Sequence, residues 1–166
     1  MEREERTRAW LNVVQTNRVV SDALEEAVES AAGLSLAEYE LLVRISNAEE
    51  GRLRMVDLAD LLLVSKSGVT KLVDRVEQAG LVARESSEED RRLTFARLTR
   101  DGRRALNRAA PAFDAAHERV FSRHLADRDV RCLRGALRKV LEGNGAWEER
   151  RCSPERSDRR TAPAPS

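Results

Sequence analysis

Apolar positions along this chain form a run of helical stripes broken once by a stretch of alternation. Trp10, Val13, Val14, Val20, Leu24, Ala27, Val28 and Ala31 recur at three- and four-residue intervals, which predicts an amphipathic helix over roughly 10–32. Asn17 and Ser21 interrupt the stripe, and Gly33 is its expected stop. Ser35-Leu-Ala-Glu38 spells a capping box, so a second helix carrying Tyr39, Leu42, Val43 and Ile45 should start there and end near Asn47. Arg52–Arg54 is too short to stand alone and is expected at the edge of a small sheet. Val56–Leu63 reads as a short apolar helix. Val64 to Ser67 reads as a turn in which Ser65 caps the next helix, Lys66–Gln78, whose Val69, Leu72, Val73 and Val76 share one face. Gly80 stands where a left-handed helix stop is wanted.

Beyond Gly80 the period shortens. Residues 81–85 and 93–98 read as two strands, and the wholly polar stretch 86–92 reads as their charged hairpin tip. Thr99 should cap a long helix carrying Ala105, Leu106, Ala109, Phe113, Ala116, Val120 and Phe121, with Pro111 expected to kink or break it. Asp127 is expected to cap a last helix with Val130, Leu133, Leu137, Val140 and Leu141, ended by Gly143. Residues 144–166 are polar, charged and proline-containing, and read as a disordered tail. The pattern is mainly α with a small β-wing. It divides into a winged helix-turn-helix over 35–99, flanked by helical segments at 10–32 and 100–143, all within one domain spanning 1–143.

Composition narrows the possibilities. With 166 residues and 41% apolar side chains the chain is long enough to bury a core of its own. Charged residues reach 36% and aromatics 4%, a balance that favours helices over a β-sandwich. No apolar run approaches a membrane span, and the charged N-terminus is unlike a signal peptide, so a cytoplasmic protein without a membrane partner is expected. Cys132 and Cys152 are the two cysteines, too few for a disulfide framework. The net charge of +1 hides an asymmetry: residues 1–50 carry 5 basic and 11 acidic side chains, whereas residues 51–104 carry 12 and 9. A basic middle permits a polyanionic partner without requiring one, since solvated helix faces have the same composition.

Order and spacing carry more than charge. A short helix, a serine-rich turn, a basic helix, a glycine and a charged hairpin together spell a winged helix-turn-helix. The face of Lys66–Gln78 opposite its valine stripe presents Lys66, Ser67, Thr70, Lys71, Asp74 and Arg75, in the half of a recognition helix that meets base edges and phosphates. Ser67 and Gly68 keep the helix start slim, and its N-terminus adds partial positive charge. Arg91 and Arg92 at the hairpin tip suit a minor-groove probe, with Asp90 as their orienting partner.

The stretch Leu53–Gly102 resembles the MarR family (multiple-antibiotic-resistance regulators). The matching segments are Met55-Val-Asp-Leu-Ala59, Ser65-Lys-Ser-Gly-Val-Thr70, Leu72-Val-Asp-Arg75, Glu77-Gln-Ala-Gly-Leu-Val82, Asp90-Arg-Arg92 and Leu98-Thr-Arg-Asp-Gly102. The flanking helices also agree in number and order. The resemblance implies a homodimeric DNA-binding transcriptional regulator, usually a repressor, with terminal helices from both subunits forming the dimerisation region. It implies release from DNA by a small molecule, often an aromatic acid, or by an oxidant. It assigns DNA contacts to Ser65, Lys66, Ser67, Thr70, Lys71 and Arg75 and the wing to Asp90, Arg91 and Arg92. The residues agree on the dimer: the Trp10–Ala31 and Val130–Leu141 stripes have too few partners within one chain. Two-fold pairing would set two recognition helices about one DNA turn (~34 Å) apart, on an inverted-repeat operator in double-stranded DNA.

An effector pocket is expected beside Trp10, Asn17, Arg18 and Tyr39, with Arg18 as carboxylate partner; core packing is the competing reading for Trp10 and Tyr39, and a satisfied amide at the dimer seam for Asn17. His117 and His124 lie two helical turns apart, about 10 Å, too far to share one zinc ion, and no metal or cofactor is expected. Cys132 is expected as a small core residue and Cys152 as a bystander, which leaves a thiol-redox regulator as an alternative. No spacing of Ser65, Ser67 and the histidines builds a catalytic triad, so an enzyme is not expected. A winged-helix protein-interaction module without specific DNA binding is the second alternative.

Overall fold

The computed structural model describes residues 2–48, 50–62, 64–86 and 93–148. Its elements are α1 (Glu2–Ala32), α2 (Leu36–Asn47), β1 (Arg52–Arg54), α3 (Met55–Leu61), α4 (Lys66–Gln78), β2 (Val82–Ser86), β3 (Thr94–Leu98), α5 (Arg100–Val120), a 3₁₀ turn (Ser122–His124) and α6 (Asp127–Gly143). The three strands form one antiparallel sheet in the order β1-β3-β2, with Leu53 opposite Ala96 and Arg84 opposite Ala96 on its other side. The mainly helical plan with a small β-wing is the one expected.

Local chemistry explains most boundaries. The Ser35 hydroxyl accepts the Glu38 N–H (3.2 Å) while the Glu38 carboxylate accepts the Ser35 N–H (2.9 Å), so the capping box opens α2. Helix α1 begins at Glu2, well before its apolar stripe, where Arg8 pairs with Glu4 (2.6 Å) and Glu5 (2.9 Å) one turn back. Gly33 and Gly80 take left-handed backbone (φ +67° and +72°) and end α1 and α4. Thr99 caps α5 through the Gly102 N–H (3.0 Å).

The core lies where α2, α4 and the sheet meet the C-terminal half of α1 and the N-terminal half of α5. Val28, Leu41, Leu42, Ile45, Leu58, Val69, Val73, Val76 and Val82 are fully buried there. The ends of the molecule are bare by contrast. Trp10, Leu11, Val13, Val14 and Val19 on α1 are exposed, and α6 buries no residue.

Three expectations need correcting. Helix α5 runs through Pro111 to Val120 without a break. The ring removes one backbone hydrogen bond, but buried Ala109 and Ala116 on either side and the long contact with α1 hold the helix together. Helix α6 is capped at Ala126, with Asp127 its first residue; the Asp129 carboxylate reaches back to the Ala126 N–H (3.0 Å) and replaces the expected cap. The chain beyond Gly143 does not leave the helix at once. Gly145 turns it (φ +63°), the Ala146 N–H returns to the Leu141 carbonyl (2.8 Å), and the Arg138 guanidinium lies 4.8 Å from the centre of the Trp147 ring. The later part of the expected tail, 149–166, lies outside the described residues.

Candidate nucleic-acid interface

Helix α4 is built to present one face and bury the other. Val69, Val73 and Val76 anchor it in the core, while Lys66, Ser67, Thr70, Lys71 and Arg75 are exposed. Ser65 caps it: its Oγ accepts the Gly68 N–H (3.0 Å) and lies 3.1 Å from Ser67 Oγ. A side chain at Gly68 would place its Cβ 3.2 Å from Ser65 Oγ and 3.5 Å from Val64 Cβ, so glycine keeps the cap tight. Thr70 donates its hydroxyl to the Lys66 carbonyl (2.9 Å). All six residues assigned to this helix and its cap by sequence are therefore solvent-facing, five of them at or before Lys71 in the helix's N-terminal half and Arg75 in its last turn. Among the described residues Lys66 and Lys71 have no ion-pair partner. Arg75 lies 3.6 Å from Glu38, a buried carboxylate on α2 that also closes that helix's capping box.

The acidic side chains of α4 are held by a residue that sequence reading passed over. Thr70, Asp74 and Glu77 follow one another at i, i+4 and i+7, and Arg84 of β2 faces all three. Its guanidinium donates to Asp74 (2.6 Å), to Glu77 and, at 3.5 Å, to the Thr70 carbonyl, while its backbone N–H donates to Glu77 (3.1 Å). Partial burial disfavours its charge, but the bonds and charges of Asp74 and Glu77 outweigh that and hold the guanidinium above arginine's ordinary value. Two carboxylates on the otherwise basic, solvent-facing side of α4 were the available signal; a partner ten residues away on a strand was not visible in periodicity.

The wing stands beside this helix. Thr99 donates its hydroxyl to the Gly80 carbonyl (2.6 Å) and its N–H to the Leu81 carbonyl (3.0 Å), which ties the foot of the hairpin to the end of α4. Asp90, Arg91 and Arg92 at the tip lie outside the described residues.

The expected effector residues do not converge within one chain. Trp10, Asn17 and Arg18 are exposed on α1, with Arg18 3.7 Å from Asp22, whereas Tyr39 is buried in the core and stacks on Phe113 at 4.8 Å. That stack continues through His117 to Phe121, and His117 Nδ1 lies 3.1 Å from Ser122 Oγ. A cleft of about 660 Å³ lies elsewhere, between the end of α2 and β1, lined among others by Arg44, Arg52, Arg54 and Phe95. Cys132 is exposed, a correction to its expected core position: it lies off the Val130–Leu137 stripe, on a helix that buries nothing. Cys152 lies outside the described residues.

This geometry has close counterparts. The model of the MarR family matches residues 32–93, the segment that holds α2, β1, α3, α4 and β2 and stops just before β3. AbsC, a MarR family transcriptional regulator from Streptomyces coelicolor, is 36% identical in sequence and superposes with a TM-score of 0.79 over 85% of this chain and 95% of its own. The chain belongs to the MarR family. A second family member from Streptomyces coelicolor, Sco3205, was solved in complex with DNA; it is 30% identical, with a TM-score of 0.80 over 84% of this chain and 88% of its own. CouR from Rhodococcus jostii RHA1, solved bound to p-coumaroyl-CoA, is 29% identical, with a TM-score of 0.68 over 77% of this chain and 87% of its own. As a MarR-family protein the chain is a DNA-binding transcriptional regulator with a winged helix, not an enzyme.

Proposed function

We propose that this MarR-family regulator is a homodimeric repressor that reads an inverted-repeat operator and is released by a small aromatic acid or a related molecule. The observation that carries the proposal is α4: a capped helix whose Lys66, Ser67, Thr70 and Lys71 are exposed while its valine face is locked in the core. Ser65, Lys66, Ser67, Thr70, Lys71 and Arg75 are assigned to base edges and phosphates of the major groove. Asp90, Arg91 and Arg92 are assigned to the neighbouring minor groove.

The bare apolar faces support the dimer. Val130, Leu137, Val140 and Leu141 on α6 and Trp10 to Val19 on α1 are exposed in the single chain, and a second copy related by a two-fold axis would cover them. The same pairing would close a pocket around Trp10, Asn17 and Arg18, which one chain leaves open. CouR's bound ligand supports a small-molecule effector of aromatic character.

The test is selection of DNA from a random library by the wild-type chain, followed by anisotropy titration at several salt concentrations. Enriched duplexes should carry inverted repeats with half-sites about 10 base pairs apart, bound about 10³-fold or more tighter than unrelated DNA. Enrichment of single half-sites would remove the dimeric reading, and no enrichment would favour the interaction-module alternative. A promoter–reporter assay in which the protein raises rather than lowers expression would reverse the repressor assignment.

A further inference from the structure

A negative charge sits in the middle of the proposed DNA face. Asp74 lies on α4 between Thr70 and Lys71 on one side and Glu77 on the other, one turn beyond residues assigned to DNA. A carboxylate there would oppose the phosphates that Lys66 and Lys71 attract. Glu77, one turn further, would add a second. Neither stands alone: both accept from one guanidinium, that of Arg84, which reaches across from the inner face of β2. The arginine fork is suited to this, since its planar set of N–H groups can serve two carboxylates and the Thr70 carbonyl together. Arg84 shares the inner face of the strand with buried Val82, so the sheet core fixes its position.

We infer that Arg84 is a positioning residue for DNA binding: it offsets one of the two carboxylate charges of Asp74 and Glu77 and holds both side chains against β2, clear of the phosphates. Arg84 itself is aimed at the helix and is not assigned to DNA. This rests on the proposed use of α4 as the recognition helix.

The experiment uses the full chain and a duplex enriched by the wild type from a random library, with affinity read by anisotropy at fixed salt. Arg84→Gln should weaken binding about tenfold, because it strands two carboxylates beside phosphate. Adding Asp74→Asn and Glu77→Gln to that variant should restore affinity to within about threefold of wild type, since no charge is left to cancel; such non-additivity is the signature of coupled groups. Arg97→Gln sets the background. It removes an equal charge from the other face of the sheet, where Arg97 pairs with Glu85 at 2.8 Å, and should cost less than about threefold. If Arg84→Gln does not fold, Arg84→Lys carries the comparison: it keeps the positive charge but gives up the fork, so its loss should stay below about tenfold.

The inference is overturned if Arg84→Gln binds like wild type, if Arg97→Gln costs as much, if the triple variant is no tighter than Arg84→Gln, or if Arg84→Lys loses tenfold. A lost contact to phosphate would give the third of these and would also lower the slope of log affinity against log salt by about 1. If the wild type enriches no duplex, the proposed function fails with it; a duplex that is enriched but bound equally by every variant overturns this inference alone.

Discussion

Gly102 has no room for a side chain. A Cβ built there would lie 1.9 Å from the Leu81 carbonyl oxygen, a backbone atom that cannot turn aside. The same carbonyl accepts the Thr99 N–H at 3.0 Å, so the Leu98-Thr-Arg-Asp-Gly102 segment is a joint: threonine caps α5 and bonds to the chain just past α4, and glycine lets α5 approach the Leu81 backbone. Gly102→Ala should therefore cost about 1–3 kcal/mol or more, read as a lower urea midpoint by circular dichroism. An unchanged midpoint would mean that α5 shifts freely at its start. The segment was legible as a pattern, but its cause was not, because nothing in the sequence says which backbone atom will face residue 102. The caps at Ser35, Ser65 and Thr99 were legible for the opposite reason: each is made within four residues. Arg84 and the Glu38–Arg75 pair were hidden because their partners come from other elements.

Element by element, period and caps located α2, α4 and the three strands closely, since each has a strong apolar face and a chemical stop. Helix α5 does not break at Pro111, because packing against α1 outweighs the local rule. The proline is exposed, and the helix keeps it at the cost of a missing hydrogen bond. Pro111→Ala should raise stability by about 1–2 kcal/mol, seen as a higher Tm. A fall in Tm would show that the proline's rigidity outweighs the lost bond. Helix α4 yields a sharper test. Lys71 is exposed, has no ion-pair partner among the described residues, and points from the half of the helix assigned to DNA. Lys71→Ala should weaken binding to all duplexes alike and reduce the salt slope by about 1, measured by titration across ionic strengths. A change confined to one base position would instead make Lys71 a base reader.

At the scale of the molecule, one chain does not bury its own surface. The middle third has a full core, whereas α6 and the first half of α1 carry exposed valines, leucines and a tryptophan on continuous faces. Those stripes were plain in the sequence, and so was their lack of partners. The contact geometry of a second copy was not, because interhelical angles do not follow from periodicity. If α6 is a dimer face, Leu137→Glu with Val140→Glu should place four carboxylates in an apolar seam, two from each copy, and split the dimer. Light scattering should then give the mass of one chain at micromolar concentration. The core around Ile45 and Val73 is remote from α6, so the melting of the winged helix should persist. Operator affinity should nonetheless fall by about 10²-fold or more, because each half-site would have to be bound independently and the gain in effective concentration from linking two recognition helices is lost. A monomer that kept full operator affinity would place specificity within one subunit and leave the exposed face of α6 to some other contact.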